Sequence, residues 1–336
     1  MTTPRDAKGR IVALRHASDV LRGNALGDPF ERDVLCYVPP GYDGGDARYP
    51  VIYFLSGFTG TGRMHLNFDP FVESIDVRLD RLIASDAMPP VICVLPDCYT
   101  RLGGSQYVNS SATGRYEDYL VDEVVPLVVA QLRTAASRDH RGVTGKSSGG
   151  YGAMVLAMRH PDVFGAMGTH AGDAYFAYCY LPDFVKFALG IAKQGGVEAF
   201  VRYFDSLPRK TKEAFEVLNI LAMAACYSPN PAAPMGIDLP VVLPSGEIRG
   251  EVWNRWVEND PVHMAKAHAQ ALRSLRRIYI DAGLRDEFNL QIGARIFCSR
   301  LDALGVDYIY EEFDDGHMGI NYRYDRSFVE LGKALA

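Results

Sequence analysis

Apolar and polar positions fall into blocks along this chain, and the period of the blocks changes from one to the next. Residues Ile11 to Tyr37 hold short alternating stretches that end in Val34-Leu35-Cys36-Tyr37-Val38, a pattern that predicts antiparallel edge strands. A turn region from Pro39 to Asp46 follows. Pro50-Val51-Ile52-Tyr53-Phe54-Leu55 is then a continuous apolar run, as expected of a strand buried on both faces, and Pro90 to Pro96 is a second. Between them, Asp69 to Ser85 reads as a helix with Phe71, Val72, Ile75, Leu79 and Leu82 on one face. Tyr116 to Leu132 reads as an amphipathic helix, and Phe164 to Thr169 as the next strand. Alternating strands and helices argue for an α/β fold, a mostly parallel sheet with helices on both faces.

The alternation then breaks. The next clear strand starts at Arg277, although strand-to-strand connections of this kind usually take far fewer residues. The intervening sequence predicts helices at Phe184–Ala192, Val197–Phe204 and Thr211–Cys226 and a hairpin over Val241–Ile248. Residues 174–269 are therefore expected to form a cap inserted before the penultimate core strand. Residues 1–173 and 270–336 form the core. A helix over Asn289–Leu304, a last strand over Tyr308–Phe313 and a closing helix over Asp325–Leu335 complete it.

Composition narrows the function classes. With 336 residues, 48% hydrophobic and 23% charged, the chain is ordinary globular material. A net charge of -6 gives no basic field for nucleic acid. No apolar run reaches the roughly 18 residues that a membrane span needs. The polar start, Met1 to Arg10, lacks the apolar centre of a secretion signal. Six cysteines in so long a chain do not resemble a disulfide framework, no Cys/His spacing suits a metal, and a cytoplasmic location is expected. The oligomeric state, homo-oligomer included, stays open.

The chemistry centres on Gly145-Lys146-Ser147-Ser148-Gly149, which fits G-x-S-x-G with Ser147 in the middle. Such a serine sits on a sharp strand-to-helix turn, and glycines on either side let the two elements approach. Helical spacing of Tyr151, Met154, Val155 and Met158 supports the helix that follows. Two rival motifs fail on a required residue. A phosphate loop needs Gly where His140 stands, and a dinucleotide fingerprint needs a third Gly where Val155 stands.

A serine hydroxyl needs a base, usually a histidine held by a carboxylate. In the α/β-hydrolase arrangement the order is Ser, acid, His. His16, His65 and His140 precede Ser147, His160 ends the next helix, and His263 and His268 lie in or near the insertion. Only His317 follows the last strand, in a loop at its C-terminal end. The segment Asp281 to Phe288 offers three carboxylates. Asp281 is still on the strand, Asp286 stands in the loop with reach toward the imidazole, and Glu287 is the alternative; Asp286 or Glu287 could instead cap the following helix. Developing oxyanion charge needs two donors, expected at the backbone N–H of Ser148 and of Phe58 in the glycine-rich loop Ser56–Gly62.

Together Pro39-Pro40-Gly41-Tyr42, Tyr53 to Gly57, Gly145 to Ala153, Asp281 to Asp286 and Gly316-His317 resemble the "Putative esterase" family, the esterase D-like branch of the α/β-hydrolase fold. That branch includes S-formylglutathione hydrolases and feruloyl and enterochelin esterases. The resemblance implies Ser147 as nucleophile, Asp286 as acid, His317 as base, and Phe58 and Ser148 as oxyanion donors. It implies a serine hydrolase of a small carboxylic ester or thioester, working through an acyl-enzyme without metal or cofactor. Acyl transfer with the same residues and an inactive binding module are the alternatives. The long insertion departs from compact thioester hydrolases, so the substrate does not carry over. Gln106, Asn109, Asp173 and Tyr178, in segments expected near the same sheet edge, are candidate substrate contacts. Trp253 and Trp256 are expected to be core.

Overall fold

The structure is a computed structural model describing residues 8–336; the first seven residues, within the polar start read above, lie outside the described residues. Ten strands form, namely β1 (Arg10–Ala17), β2 (Glu31–Val38), β3 (Val51–Leu55), β4 (Ile92–Leu95), β5 (Asn109–Ser110), β6 (Gly114–Arg115), β7 (Arg141–Lys146), β8 (Ala166–His170), β9 (Arg277–Gly283) and β10 (Ile309–Phe313). Eight of them make one sheet in the order β1-β2-β4-β3-β7-β8-β9-β10, and β5 and β6 make a separate two-stranded ribbon. Pairing is antiparallel at β1–β2 and β2–β4 and parallel from β4 through β10. This is the expected α/β-hydrolase sheet, with its antiparallel strands at one edge.

The continuous apolar strands are buried on both faces because helices cover both. Along β3, Val51, Tyr53 and Leu55 enter one core, while Ile52 and Phe54 enter the other. The smaller core is closed by Ile75, Leu79 and Leu82 of the helix Ile75–Ala84 and by Phe328, Leu331 and Leu335 of the helix Tyr324–Leu335. The larger takes in the helix Ser148–Arg159 and continues without a break into the segment between β8 and β9, through Phe187, Phe200, Leu221 and Trp256. That segment folds as helices Phe184–Gln194 and Val197–Ser206, each two residues longer than its sequence pattern suggests, and Lys212–Tyr227, of the expected length and shifted by one residue. Over Val241–Ile248 a single antiparallel bridge forms instead of a hairpin. All six cysteines are buried and unpaired. No helix among the described residues is long and apolar enough to cross a membrane.

One expected helix is shorter than its periodicity. The helix read over Asp69–Ser85 begins only at Ile75, and Phe71 and Val72 stand 97% and 40% exposed. The chain turns back on itself there, through a bridge between Asp69 and Val72. The apolar spacing was carried across a turn that the helix does not include.

Candidate active site

Parallel strands β3, β7, β8, β9 and β10 all end at one edge, so the loops that leave them meet there. Ser147 follows β7 directly and precedes the helix Ser148–Arg159. Its backbone, φ 57 and ψ -125, lies outside the regions an L-residue prefers. Packing enforces this conformation. A Cβ on Gly149 would stand 2.1 Å from the Leu55 carbonyl oxygen, and one on Gly145 would stand 2.6 Å from Gly149. The Ser147 N–H donates to the His170 carbonyl at 2.9 Å, which ties the turn to β8. Helix and strand therefore meet at backbone distance, and the serine is pushed out at the tip.

His317 and Asp286 come together from loops after β10 and β9. Imidazole Nδ1 lies 2.8 Å from Asp286 Oδ2, with both side chains almost fully buried. A carboxylate can only accept, so Nδ1 donates and Nε2 keeps its lone pair. The other Asp286 oxygen, Oδ1, accepts from the Phe288 N–H at 2.9 Å and the Leu290 N–H at 3.4 Å. One carboxylate thus both holds the imidazole and caps the helix Leu290–Leu304, the two uses that the sequence set against each other. Glu287 takes a different part, with Oε2 accepting the His317 backbone N–H at 2.7 Å. Phe288 packs edge-on against the imidazole at 4.9 Å between centroids. The Ser147 hydroxyl and His317 Nε2 are not hydrogen-bonded to each other among the described residues. Such contacts are often long without substrate and tighten when it binds.

Two backbone N–H groups close to Ser147 have no hydrogen-bond partner among the described residues. Ser148 opens its helix, where the first amides have no intrahelical acceptor. Phe58 occupies the second position of a turn closed by Gly60 N–H on the Gly57 carbonyl at 2.9 Å, with Thr59 at φ 64. A Cβ on Gly57 would stand 3.5 Å from Ser147 Cβ, so this loop runs directly beside the serine. The loop is held from behind. Thr59 N–H donates to the Gly103 carbonyl, Tyr107 O–H donates to the Ser56 carbonyl at 2.6 Å, and Ser56 Oγ lies 3.1 Å from His65 Nε2. Burial, and then the charge of Lys146, push the His65 imidazole down to about 4. Burial likewise lowers the Lys146 ammonium, against the pull of Asp286 and Glu287.

The four candidate substrate contacts separate. Asp173, one turn past β8, is buried and lies beside Ser148, whose Oγ is 3.4 Å from Asp173 Oδ2. Gln106 is buried against it, with Nε2 donating to Asp173 Oδ2 at 3.1 Å and to the Tyr227 hydroxyl at 2.9 Å. Tyr178 is 48% exposed and its carbonyl accepts from Asn289, near the Asp286 loop. Asn109 does not join the group. Its side chain pairs at both ends with Asp118, as acceptor from the backbone N–H at 3.1 Å and as donor to the carboxylate at 2.6 Å, and so fastens the β5 ribbon to the following helix.

Sequence patterns missed several participants. Tyr180 and Tyr227 lie in the inserted segment, and both hydroxyls reach the Gln106–Asp173 pair. His65, set aside by chain order, braces the Phe58 loop. His170 and Asp281 are fully buried and joined at 2.7 Å under Ser147, with no local signal.

The sequence model of the family described as "Putative esterase" matches residues 25–321. A protein of Xylanibacter ruminicola named "Endo-1,4-beta-xylanase/feruloyl esterase" is 28% identical over 154 residues, 45% of this chain and 20% of that protein. "Esterase Rv1288" of Mycobacterium tuberculosis is 30% identical over 138 residues, 41% of this chain and 28% of that protein. The matches thus span less than a third of the length of these two relatives. Among solved structures, a ferulic acid esterase superposes with a TM-score of 0.62 at 20% identity, covering 98% of this chain and 100% of that one. An S-formylglutathione hydrolase from Agrobacterium tumefaciens gives 0.56 at 17% identity, covering 98% and 96%. At these identities the structural likeness carries the fold.

Proposed function

The chain belongs to the "Putative esterase" family, and on that premise we propose that it is a serine hydrolase that cleaves a small carboxylic ester or thioester through an acyl-enzyme. The observation that carries this is the set of three at one sheet edge: a strained serine at a strand-to-helix turn, an imidazole oriented by a buried carboxylate, and two unpaired N–H groups. In this mechanism Ser147 Oγ attacks the carbonyl carbon as His317 Nε2 takes the hydroxyl proton. Asp286 holds the ring and stabilises the imidazolium. The carbonyl oxygen becomes an oxyanion held by the Phe58 and Ser148 N–H groups. Each such donor is typically worth roughly 10²–10³ in turnover. The carbon–oxygen or carbon–sulfur bond then breaks, and His317 returns its proton to the departing alcohol or thiol. Water repeats the sequence on the acyl-serine and releases the acid and Ser147.

Residues 174–269 serve in this reading as a cap fixed to the core. Tyr180 and Tyr227 hydrogen-bond the Asp173–Gln106 pair, and the segment shares the larger core. Incubation with a fluorophosphonate probe followed by peptide mapping tests the proposal. A single adduct on Ser147 supports it; an adduct elsewhere, or none, removes it.

A further inference from the structure

The polar cluster beside Ser148 is incomplete. Asp173 Oδ2 accepts from Tyr180 O–H at 2.7 Å, from Gln106 Nε2 at 3.1 Å and from Ser148 Oγ at 3.4 Å. Its other oxygen, Oδ1, makes no hydrogen bond among the described residues and keeps some accessible surface, although the residue as a whole is only 6% exposed. Gln106 is 1% exposed, and its Oε1 is also without a partner. Buried acceptors are paired as a rule, so the orphaned Gln106 Oε1, with the open Asp173 oxygen in the same cluster, points to a missing group. The backbone supports this. Gln106 and Tyr107 both have positive φ, 51 and 57, and two adjacent strained residues persist only where the surroundings hold them. The cluster also lies within reach of the reacting atoms. It touches Ser148, whose N–H is a proposed oxyanion donor, and the field of His317 acts on Asp173.

The chemistry of the missing group follows from its neighbours. Tyr180, Tyr227 and Gln106 offer neutral dipoles and no cation. Burial raises the Asp173 carboxyl above its usual range, which disfavours the full negative charge an ammonium group would need. A hydroxyl both donates and accepts, so it pairs with Oδ1 whether or not that oxygen carries a proton. An alkyl group placed there would cover the oxygen and leave it unpaired.

We propose that Asp173, backed by Gln106, Tyr180 and Tyr227, recognises a hydroxyl that the substrate carries close to its ester bond, so that hydroxylated esters are the preferred class. This rests on Ser147 being the nucleophile. Two matched pairs of esters test it and separate the two sources of the hydroxyl. The acyl pair is p-nitrophenyl β-hydroxybutyrate against p-nitrophenyl butyrate. The alcohol pair is glycerol monobutyrate against propyl butyrate. In one pair kcat/KM should favour the hydroxylated ester roughly ten- to hundredfold, the range for leaving a buried polar group unpaired. In Asp173→Ala that ratio should fall to about one, and Asp173→Asn, which still forms hydrogen bonds, should keep part of it.

If Asp173 merely steadies Ser148, the alanine variant slows both esters of a pair alike and the ratio persists, which overturns the proposal. A wild-type ratio of about one in both pairs overturns it too, even if no variant folds. Failure of all four esters, with no fluorophosphonate adduct on Ser147, sinks the esterase reading itself and this inference with it.

Discussion

Ser147, His317 and Asp286 have a double inside the same molecule. Ser327 Oγ lies 2.8 Å from His170 Nε2, and His170 Nδ1 lies 2.7 Å from Asp281 Oδ1. By distance the second set is the better formed, since its serine already touches its imidazole. The surroundings differ. Ser327, His170 and Asp281 are all 0% exposed, so no substrate reaches them. Ser327 sits within a regular helix, Tyr324–Leu335, with its hydroxyl also donating to the Tyr324 carbonyl. Asp281 is shared, with Oδ2 accepting from Tyr279 O–H at 2.8 Å and Arg323 Nε at 2.9 Å. A hydrogen-bonded serine, histidine and aspartate therefore do not by themselves make a reactive centre. Access, a serine displaced from ordinary backbone geometry and unpaired N–H groups beside it separate one set from the other. The two are also stacked. The His170 carbonyl receives the Ser147 N–H, and the Asp281 carbonyl receives the Ala171 N–H at 2.7 Å, so the Ser327 set is a floor for the Ser147 set.

Exchanging the serines gives the largest contrast. Ser147→Ala should lose roughly 10⁴–10⁶ in turnover. Ser327→Ala should keep turnover within a few-fold of wild type while losing about 1–3 kcal/mol of stability, because His170 is left with an unpaired nitrogen. Ester turnover and urea melts on both variants check this, and loss of turnover in Ser327→Ala at full folding would collapse the distinction. The carboxylates come next. Asp286→Asn should fold and lose roughly 10⁴ in kcat, as when an imidazole is held in the wrong tautomer. Asp281→Asn should instead cost about 3–5 kcal/mol of stability by breaking a buried ionic cluster, with turnover per folded molecule falling far less. Equal kinetic damage from both would show that the floor takes part in the chemistry.

Much of the Ser147 set was legible because its requirements fall on residue types at fixed spacing. Gly145 and Gly149 are glycines because nothing larger fits, and His317 stands alone after the last strand. The buried set was not legible. His170 and Asp281 are 111 residues apart and His170 and Ser327 157, and no local pattern announces a contact made by strand order. Asp286 and Glu287 are adjacent carboxylates that both serve His317, one at the ring and one at the backbone, a division that only loop geometry decides. Phe71 and Asn109 show two other limits. Apolar spacing does not record where a helix starts, and a polar loop residue near a site is as able to clamp the loop as to face the site.

A third serine–histidine pair sharpens the contrast through pH. Ser56 and His65 hold the Phe58 loop, and no carboxylate hydrogen-bonds the His65 ring among the described residues. With its value lowered from 6.5 to about 4, His65 binds a proton more readily unfolded than folded. Its contribution is thus complete above 6.5 and is lost as pH falls toward 4. His65→Gln cannot ionise, so its stability should fall less steeply than that of wild type across that window in denaturant melts. Parallel curves would mean that the imidazole is not desolvated there.

The smallest expected effect concerns the outer tail of the buried set. Glu311 receives Tyr279 O–H at 3.1 Å and pairs with Arg323 and Arg326, and those contacts hold its carboxyl down at about 2 against desolvation. A carboxyl lowered from 4.5 stabilises the fold fully above 4.5, and the contribution is lost as pH falls from there toward 2. Part of the side chain meets solvent, which screens the network, so Glu311→Gln should lose less than about 1 kcal/mol at neutral pH. Wild-type and variant melts should converge as the pH approaches 2. Ester turnover should show no matching difference, because Glu311 touches neither Ser147 nor His317. A change in the pH–rate profile of Glu311→Gln would mean that charge at the far end of the floor is felt at the His317 imidazole, and the two sets would then have to be treated as one electrostatic unit.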